Sequence, residues 1–264
     1  MSAVLAITLG NSTAAAVLAT DGVLGPVRRV PVGQLEELHD VLARIGKEGG
    51  APIPIAVASV NPPALERLER LLTDLGLPPA AVARRDFPVP IGAAVKAPER
   101  VGVDRLLGAL AAYRCVRDSA VGSLAHRAGA ECIVVDFGTA ITVNSVRGDG
   151  IFLGGAILPG LSMAARALSA GTALLPEIPL PAAAPAVGRS TEEAIAAGVI
   201  HGAAGAVTAL IDGARRVVGP GAKVVLTGGD AARVAAHLLP DCREVRPDLV
   251  LEGLLVAYRE WQKQ

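Results

Sequence analysis

The sequence predicts an α/β protein built as two similar lobes. Three observations carry this. Short apolar runs of strand character alternate with segments of helical period along the chain. An apolar strand, a glycine-containing polar turn and a second apolar strand occur near residue 10 and recur near residue 138. The two copies are Thr8-Leu9-Gly10-Asn11-Ser12 and Asp136-Phe137-Gly138-Thr139-Ala140, separated by about half the chain, which reads as an internal duplication. The apolar share, 52%, is enough for a sizeable core and argues against disorder.

The elements follow in order. Val4-Leu5-Ala6-Ile7 is an apolar strand, Gly10-Asn11-Ser12 has turn chemistry, residues 14–19 are apolar again, and Asp21-Gly22 makes a second turn. Leu35, Leu38, Val41, Leu42 and Ile45 lie at helical spacing and predict a helix over 34–47. Residues 53–60 read as a strand, and Pro62-Pro63 opens a helix over 64–75, because proline fits a first turn. Residues 78–98 form a proline-bearing irregular connector. A strong helical segment covers 98–117, with Val103, Leu106, Leu107, Leu110 and Ala111 along its stripe.

Beyond it, residues 132–135 and 141–146 are strands, and Gly148-Asp149-Gly150 is a turn. Residues 161–170 are helical and 176–185 form a Pro/Ala-rich loop. A long helix over 191–218 starts at Ser190 with Glu193 three residues on, a capping-box signature. Residues 224–226 form a strand closed by Thr227-Gly228-Gly229-Asp230. A helix to 239 and a terminal helix from 249 complete the chain.

Twenty-five basic residues balance 25 acidic ones, so neither nucleic acid nor an anionic membrane is indicated as the main partner. Aromatics are 2%, so Ala, Val, Leu and Ile must build the core. Cys115, Cys132 and Cys242 have no short spacing; they read as reduced thiols of a cytoplasmic protein, not as a disulfide frame or zinc site. The first residues lack the features of a signal peptide. No apolar run reaches the ~18–20 residues of a spanning helix, so the chain reads as soluble. His39, His126, His201 and His237 form no ligand spacing.

A tight glycine turn between strands presents backbone N–H groups that suit a phosphate. Ser12, Thr13, Thr139 and Thr142 could add hydroxyl donors, although either turn alone reads equally as an ordinary hairpin. Neither fits the Walker pattern. The Gly228-Gly229 turn between a strand and a helix lets a flat ring or a phosphate approach the backbone. Within Gly102-Val103-Asp104-Arg105, adjacent residues on a helix point to different targets. Asp104 could take a proton from a hydroxyl while Arg105 holds an anion; the same pair also reads as a first-turn acid beside a solvated base. Asp136 ends an apolar strand, where a carboxylate calls for a cation or a turn to cap.

These segments in this order resemble the type III pantothenate kinases along nearly the whole chain. The quoted residues are Gly10-Asn11, the run from Pro98 to Arg105, Asp136-Phe137-Gly138-Thr139-Ala140 and the run from Gly154 to Gly160. Ser190 to Ile195, Leu226 to Ala231 and Pro247 to Leu254 complete the set. The resemblance implies the acetokinase/sugar kinase/actin-like ATPase fold: two ribonuclease-H-like lobes, with mixed sheets and flanking helices around an ATP cleft, expected here over 1–120 and 121–264.

It also implies roles. Asp104 would be the base that deprotonates the pantothenate hydroxyl. Gly102, Val103 and Arg105 would hold pantothenate, with Thr191 touching it across a homodimer interface. Thr8, Leu9, Gly10, Asn11, Ser12, Thr13, Gly138, Thr139, Gly228 and Gly229 would bind ATP with Mg2+. Asp136 would bind a monovalent cation, K+ or NH4+. Two positions depart from the family pattern. Thr8 stands where the first motif begins with Asp, and Val95 stands at a substrate-side position where the family usually has Tyr. Two readings follow: phosphorylation of pantothenate to 4′-phosphopantothenate, or a catalytically impaired homologue that binds nucleotide as a regulator.

Overall fold

The computed structural model of the chain describes residues 3–42, 53–119, 130–242 and 244–264. In chain order these form β1 Ala3–Leu9, β2 Thr13–Thr20, β3 Val23–Leu24, β4 Arg28–Pro31, β5 Ile55–Ser59, α1 Pro62–Asp74, β6 Ala81–Val82, β7 Gly92–Ala93 and α2 Val103–Ser119. Then come β8 Cys132–Phe137, β9 Ala140–Val146, β10 Ile151–Pro159, α3 Leu161–Gly171, α4 Thr191–Val218, β11 Lys223–Thr227, α5 Ala231–Ala235, β12 Glu244–Val245 and α6 Leu249–Trp261. They fall into two compact units.

The first unit comprises Met1–Pro90, Glu99–Ala111 and Asp248–Gln264. Its sheet runs β3-β2-β1-β5-β6, with β4 also on β2. β1 is antiparallel to β2 and parallel to β5, which makes the sheet mixed. Side chains alternate between faces along a strand. Leu5, Ile7 and Leu9 of β1 join Ile55 and Val57 of β5 under Ala64, Leu68 and Leu72 of α1 in one buried cluster. α6 also packs against β1 and β5. Gly253 lets α6 approach α2 closely, since a Cβ there would collide with the Leu107 carbonyl. Three of the chain's few aromatics meet at one end of α6: Phe87 lies 5.6 Å from Tyr258 and 5.4 Å from Trp261, centroid to centroid.

The second unit comprises Ile91–Pro98 and Ala112–Pro247. Its sheet runs β12-β11-β8-β9-β10-β7, with β8 antiparallel to β9 and parallel to β11. One face carries Ile133, Val135 and Phe137 of β8 with Ile141 and Val143 of β9, buried beneath α3, α4 and α5. By length and composition α4 could cross a membrane, contrary to the reading of the apolar runs. In this fold Ile195, Val199, Ile200, Val207 and Ile211 give one of its faces to the core. Cys132 and Cys242 are buried free thiols, and burial pushes the Cys132 thiol up to about 12.

Several expectations shift. A single division after residue 120 differs from these units, because α6 packs with the first strands. The segment over 34–47 starts as a 3-10 helix, Val32–Leu38, with Gln34 at φ −123°, ψ 44°, and residues 39–42 continue as α-helix; 43–47 lie outside the described residues. The helix expected from 98 is a 3-10 turn, Pro98–Arg100, that breaks before α2. The connector over 78–98 contains β6 and β7. The helix expected to reach 239 stops at Ala235. Ser190 does cap α4: its Oγ accepts from the Glu193 N–H at 3.2 Å.

Candidate active site

In the first unit, the candidate groups gather at the end of the sheet where β1 and β5 terminate side by side, with Leu9 level with Ser59. The Gly10 N–H donates to the Thr13 carbonyl at 3.0 Å and closes the turn after β1. Asn11, Ser12 and Thr13 are exposed on it, and Thr8 is half-buried on the strand before it. Asn61 ties this turn to the next helix. Its Oδ1 accepts from the Ala64 N–H at 3.1 Å, capping α1, and its Nδ2 donates to the Gly10 carbonyl at 3.3 Å. Sequence reasoning missed Asn61, although an Asn immediately before Pro-Pro is a helix-start pattern.

Gly102 belongs to the same end. A Cβ built there would lie 3.8 Å from Val60 Cγ1, and Val60 N–H donates to the Leu9 carbonyl at 3.0 Å. The same Cβ would lie 2.5 Å from Asp104 Oδ1, too close for any side chain. Glycine is therefore required for the Asp104 carboxylate to sit where it does. That carboxylate is half-buried and accepts from the Arg105 N–H at 2.8 Å. Burial holds its pKa above the usual aspartate range, against the lowering pull of that bond and of the Arg105 charge. Burial in turn lowers the Arg105 guanidinium from its ordinary value, which still leaves it charged at neutral pH.

In the second unit, Asp136 lies on β8 one residue before its end, level with Thr142 of β9 and Thr227 of β11. Its carboxylate lies between two glycine turns. A Cβ on Gly138 would be 3.5 Å from Asp136 Oδ1, and a Cβ on Gly228 would collide with the same oxygen. Gly228 adopts φ +93°, a conformation natural only to glycine. The turns are joined by Asp230 N–H donating to the Phe137 carbonyl at 3.1 Å, and Gly160 lets α3 start against the Gly138 and Thr139 carbonyls. Thus Asp136, Gly138, Thr139, Gly228 and Gly229 come together. Asn144, which sequence reasoning missed, is buried and donates from Nδ2 to Thr142 Oγ1 at 2.9 Å on the Asp136 face.

Like Gly10, Gly138 uses its N–H within its own hairpin, donating to the Ala140 carbonyl at 3.2 Å. Both glycines therefore shape their turns, and that donor is already engaged. Val95 is half-buried against Gly154 at a β-bulge of β10. Thr191 is exposed in the first turn of α4. His201 and His237 meet edge to face with centroids 4.6 Å apart, a pairing that sequence separation conceals. Among the described residues no three His, Cys, Asp or Glu side chains gather into a metal cluster.

Two mixed sheets with flanking helices, each with a strand–glycine turn–strand hairpin at its candidate site, make up a fold shared with the actin-like ATPases and sugar kinases. The activator of 2-hydroxyisocaproyl-CoA dehydratase from Clostridium difficile, with bound ADPNP, is similar in fold alone: TM-score 0.54 at 13% identity, covering 99% of this chain and 96% of that one. Residues 4–213 match the family model of the type III pantothenate kinases. The chain is 44% identical to a type III pantothenate kinase of Halorhodospira halophila, over 78% of this chain and 76% of the relative. It is 35% identical to one of Nitratidesulfovibrio vulgaris (strain DP4) over 97% of each. The chain belongs to the type III pantothenate kinase family.

Proposed function

We propose that this chain transfers the γ-phosphoryl group of ATP to the hydroxyl of pantothenate, giving 4′-phosphopantothenate and ADP, the first step toward coenzyme A. The observation that carries the reading is Asp104: a half-buried carboxylate, raised in pKa by burial, beside a glycine whose Cβ would collide with it. A carboxylate made more basic in this way is a better acceptor for an alcohol proton. Gly102 and Val103 would lie along pantothenate, and Arg105 would engage its carboxylate through the guanidinium fork. Thr191 would complete the substrate site from the second subunit of a homodimer, and Val95 would leave an apolar wall where a tyrosine would hydrogen-bond.

On the nucleotide side, Thr8, Leu9, Gly10, Asn11, Ser12 and Thr13 would take one end of the phosphate chain. Gly138, Thr139, Gly228 and Gly229 would take the other end and the nucleoside. Phosphoryl transfer asks mainly for positioning and charge neutralisation. Mg2+ is held in such sites largely through substrate phosphates and water. The cradle around Asp136, which a Cβ at Gly228 would fill, fits a cation, K+ or NH4+. Such an ion would supply positive charge beside the phosphates. The reaction would take place in the cytoplasm.

Thr8 favours the second reading, a nucleotide-binding homologue with impaired catalysis, since a neutral hydroxyl cannot replace a carboxylate's charge. A coupled assay for ADP release separates the two, with ATP, magnesium, potassium and pantothenate, comparing wild type with Asp104→Asn. Pantothenate-dependent release that the substitution abolishes supports the kinase. Nucleotide binding without turnover in the wild type supports the regulator.

A further inference from the structure

Arg84 has a backbone conformation that its own chemistry does not favour. Its φ is +68°, in the left-handed region, where a long L side chain is uncommon and glycine or asparagine is usual. It stands in a tight turn between Val82 and Phe87. Ala83 bridges to Phe87, the Arg84 N–H donates to the Phe87 carbonyl at 2.7 Å, and Asp86 Oδ2 accepts from the Val82 N–H at 2.7 Å. Phe87 is 3% exposed and stacks on Trp261. The turn is therefore a fixed base.

From that base the Arg84 guanidinium donates through Nη1 to the carbonyl of Val101. Val101 is the residue before Gly102, and Gly102 is the residue against which the Asp104 carboxylate lies. The break between the 3-10 turn at Pro98–Arg100 and α2 leaves Val101 outside the helix, so α2's own hydrogen-bond ladder does not hold its carbonyl. A bond from a charged donor to that carbonyl restrains the segment.

We propose that Arg84 is a positioning residue for the reaction: it braces Val101 and so fixes Gly102 and the Asp104 carboxylate. The inference rests on the reading of Asp104 as the base. A backbone outlier of this kind is maintained where surrounding structure and function over-determine it, and the side chain supplies here what glycine would not.

The test compares Arg84→Gly, Arg84→Lys and Asp104→Asn in the ADP-release assay, with thermal melting of each. Arg84→Gly frees the backbone from its disfavoured conformation, so its melting temperature should equal or exceed that of wild type. Its kcat should nevertheless fall about tenfold or more, as expected when a reacting group is misplaced by a fraction of an ångström. Arg84→Lys, which keeps one donor, should recover part of that loss. Wild-type kcat in Arg84→Gly, with Asp104→Asn inactive, overturns the role of Arg84 and leaves the base intact. Should Arg84→Gly melt early, Arg84→Lys decides: a kcat clearly above that of Arg84→Gly supports the brace, and equal loss in both overturns it. Wild-type turnover in Asp104→Asn removes the base, and the brace with it.

Discussion

The two glycine hairpins share a plan and differ in charge at one strand position. In each, the residue two before the glycine looks across the sheet at its partners. At the first hairpin that residue is Thr8, level with Ala15 of β2 and Ala58 of β5. At the second it is Asp136, level with Thr142 and Thr227. A carboxylate is tolerated in a half-buried strand where hydroxyls line it and is costly where methyl groups do. The second hairpin has both an acid and polar neighbours. At the first, both the position and its two cross-strand neighbours are uncharged. The difference teaches that the negative charge present at position 136 has no counterpart at position 8 or in its immediate neighbours in the sheet. The half-buried carboxylate of the first unit's candidate site is Asp104 instead.

That contrast can be broken or sharpened by substitution. The largest effect is expected for Asp104→Asn, which should lower turnover at least about a hundredfold as a lost general base does; a near-normal rate in the ADP-release assay would remove Asp104 from the mechanism. Next, Thr8→Asp should make the two hairpins alike and raise turnover by up to about tenfold through added charge complementarity. The same change places a carboxylate beside Ala15 and Ala58, so stability should fall by about 1 kcal/mol. Unchanged kinetics with normal folding would mean that the first site has drifted in more than one residue.

A smaller effect is expected for Gly228→Ala. The Cβ collides with Asp136 Oδ1 and the backbone is left-handed there, so unfolding free energy should drop by about 1–3 kcal/mol. Binding of a fluorescent ATP analogue should weaken with it; retention of full affinity would separate the Asp136 cradle from the nucleotide. The smallest effect is on stability against pH. Asp104 has a raised pKa in the fold, so between the ordinary aspartate range and that raised value the folded state binds more protons than the unfolded state. Wild type should therefore lose some stability as pH rises through that window. Asp104→Asn should melt higher than wild type at neutral pH, and the gap should close below pH 3.5 or so. A gap that persists in acid would give the effect another cause.

Features set by local chemistry could be read from the chain. Ser190 with Glu193 announced the start of α4, though the Glu193 carboxylate accepts from the Arg189 N–H rather than closing onto Ser190 itself. The glycine turns, Asp104 and Asp136 were readable because glycine and buried acids are unusual there. Leu35 and Leu38 could not decide between helix types, since a spacing of three suits either. The pairing of α6 with β1 and β5 involves residues at opposite ends of the sequence, which periodicity cannot register. Arg84 gave no signal because arginine is not a turn residue; only its φ marks it. Asn144 was hidden in an apolar strand, where its meaning depends on which cross-strand neighbours share its face.

The first unit is assembled from three separate stretches, and the last of them supplies α6, with Leu249 and Leu254 fully buried. The second unit draws almost wholly on one stretch, Ala112–Pro247. During synthesis the ribosome therefore delivers everything the second unit's sheet needs before it delivers the helix that covers β1 and β5. Domains tend to fold as their segments emerge. β1 and β5 are made before the helix that packs on them, and the stretch Ala112–Pro247 is made in between and can settle before that helix arrives.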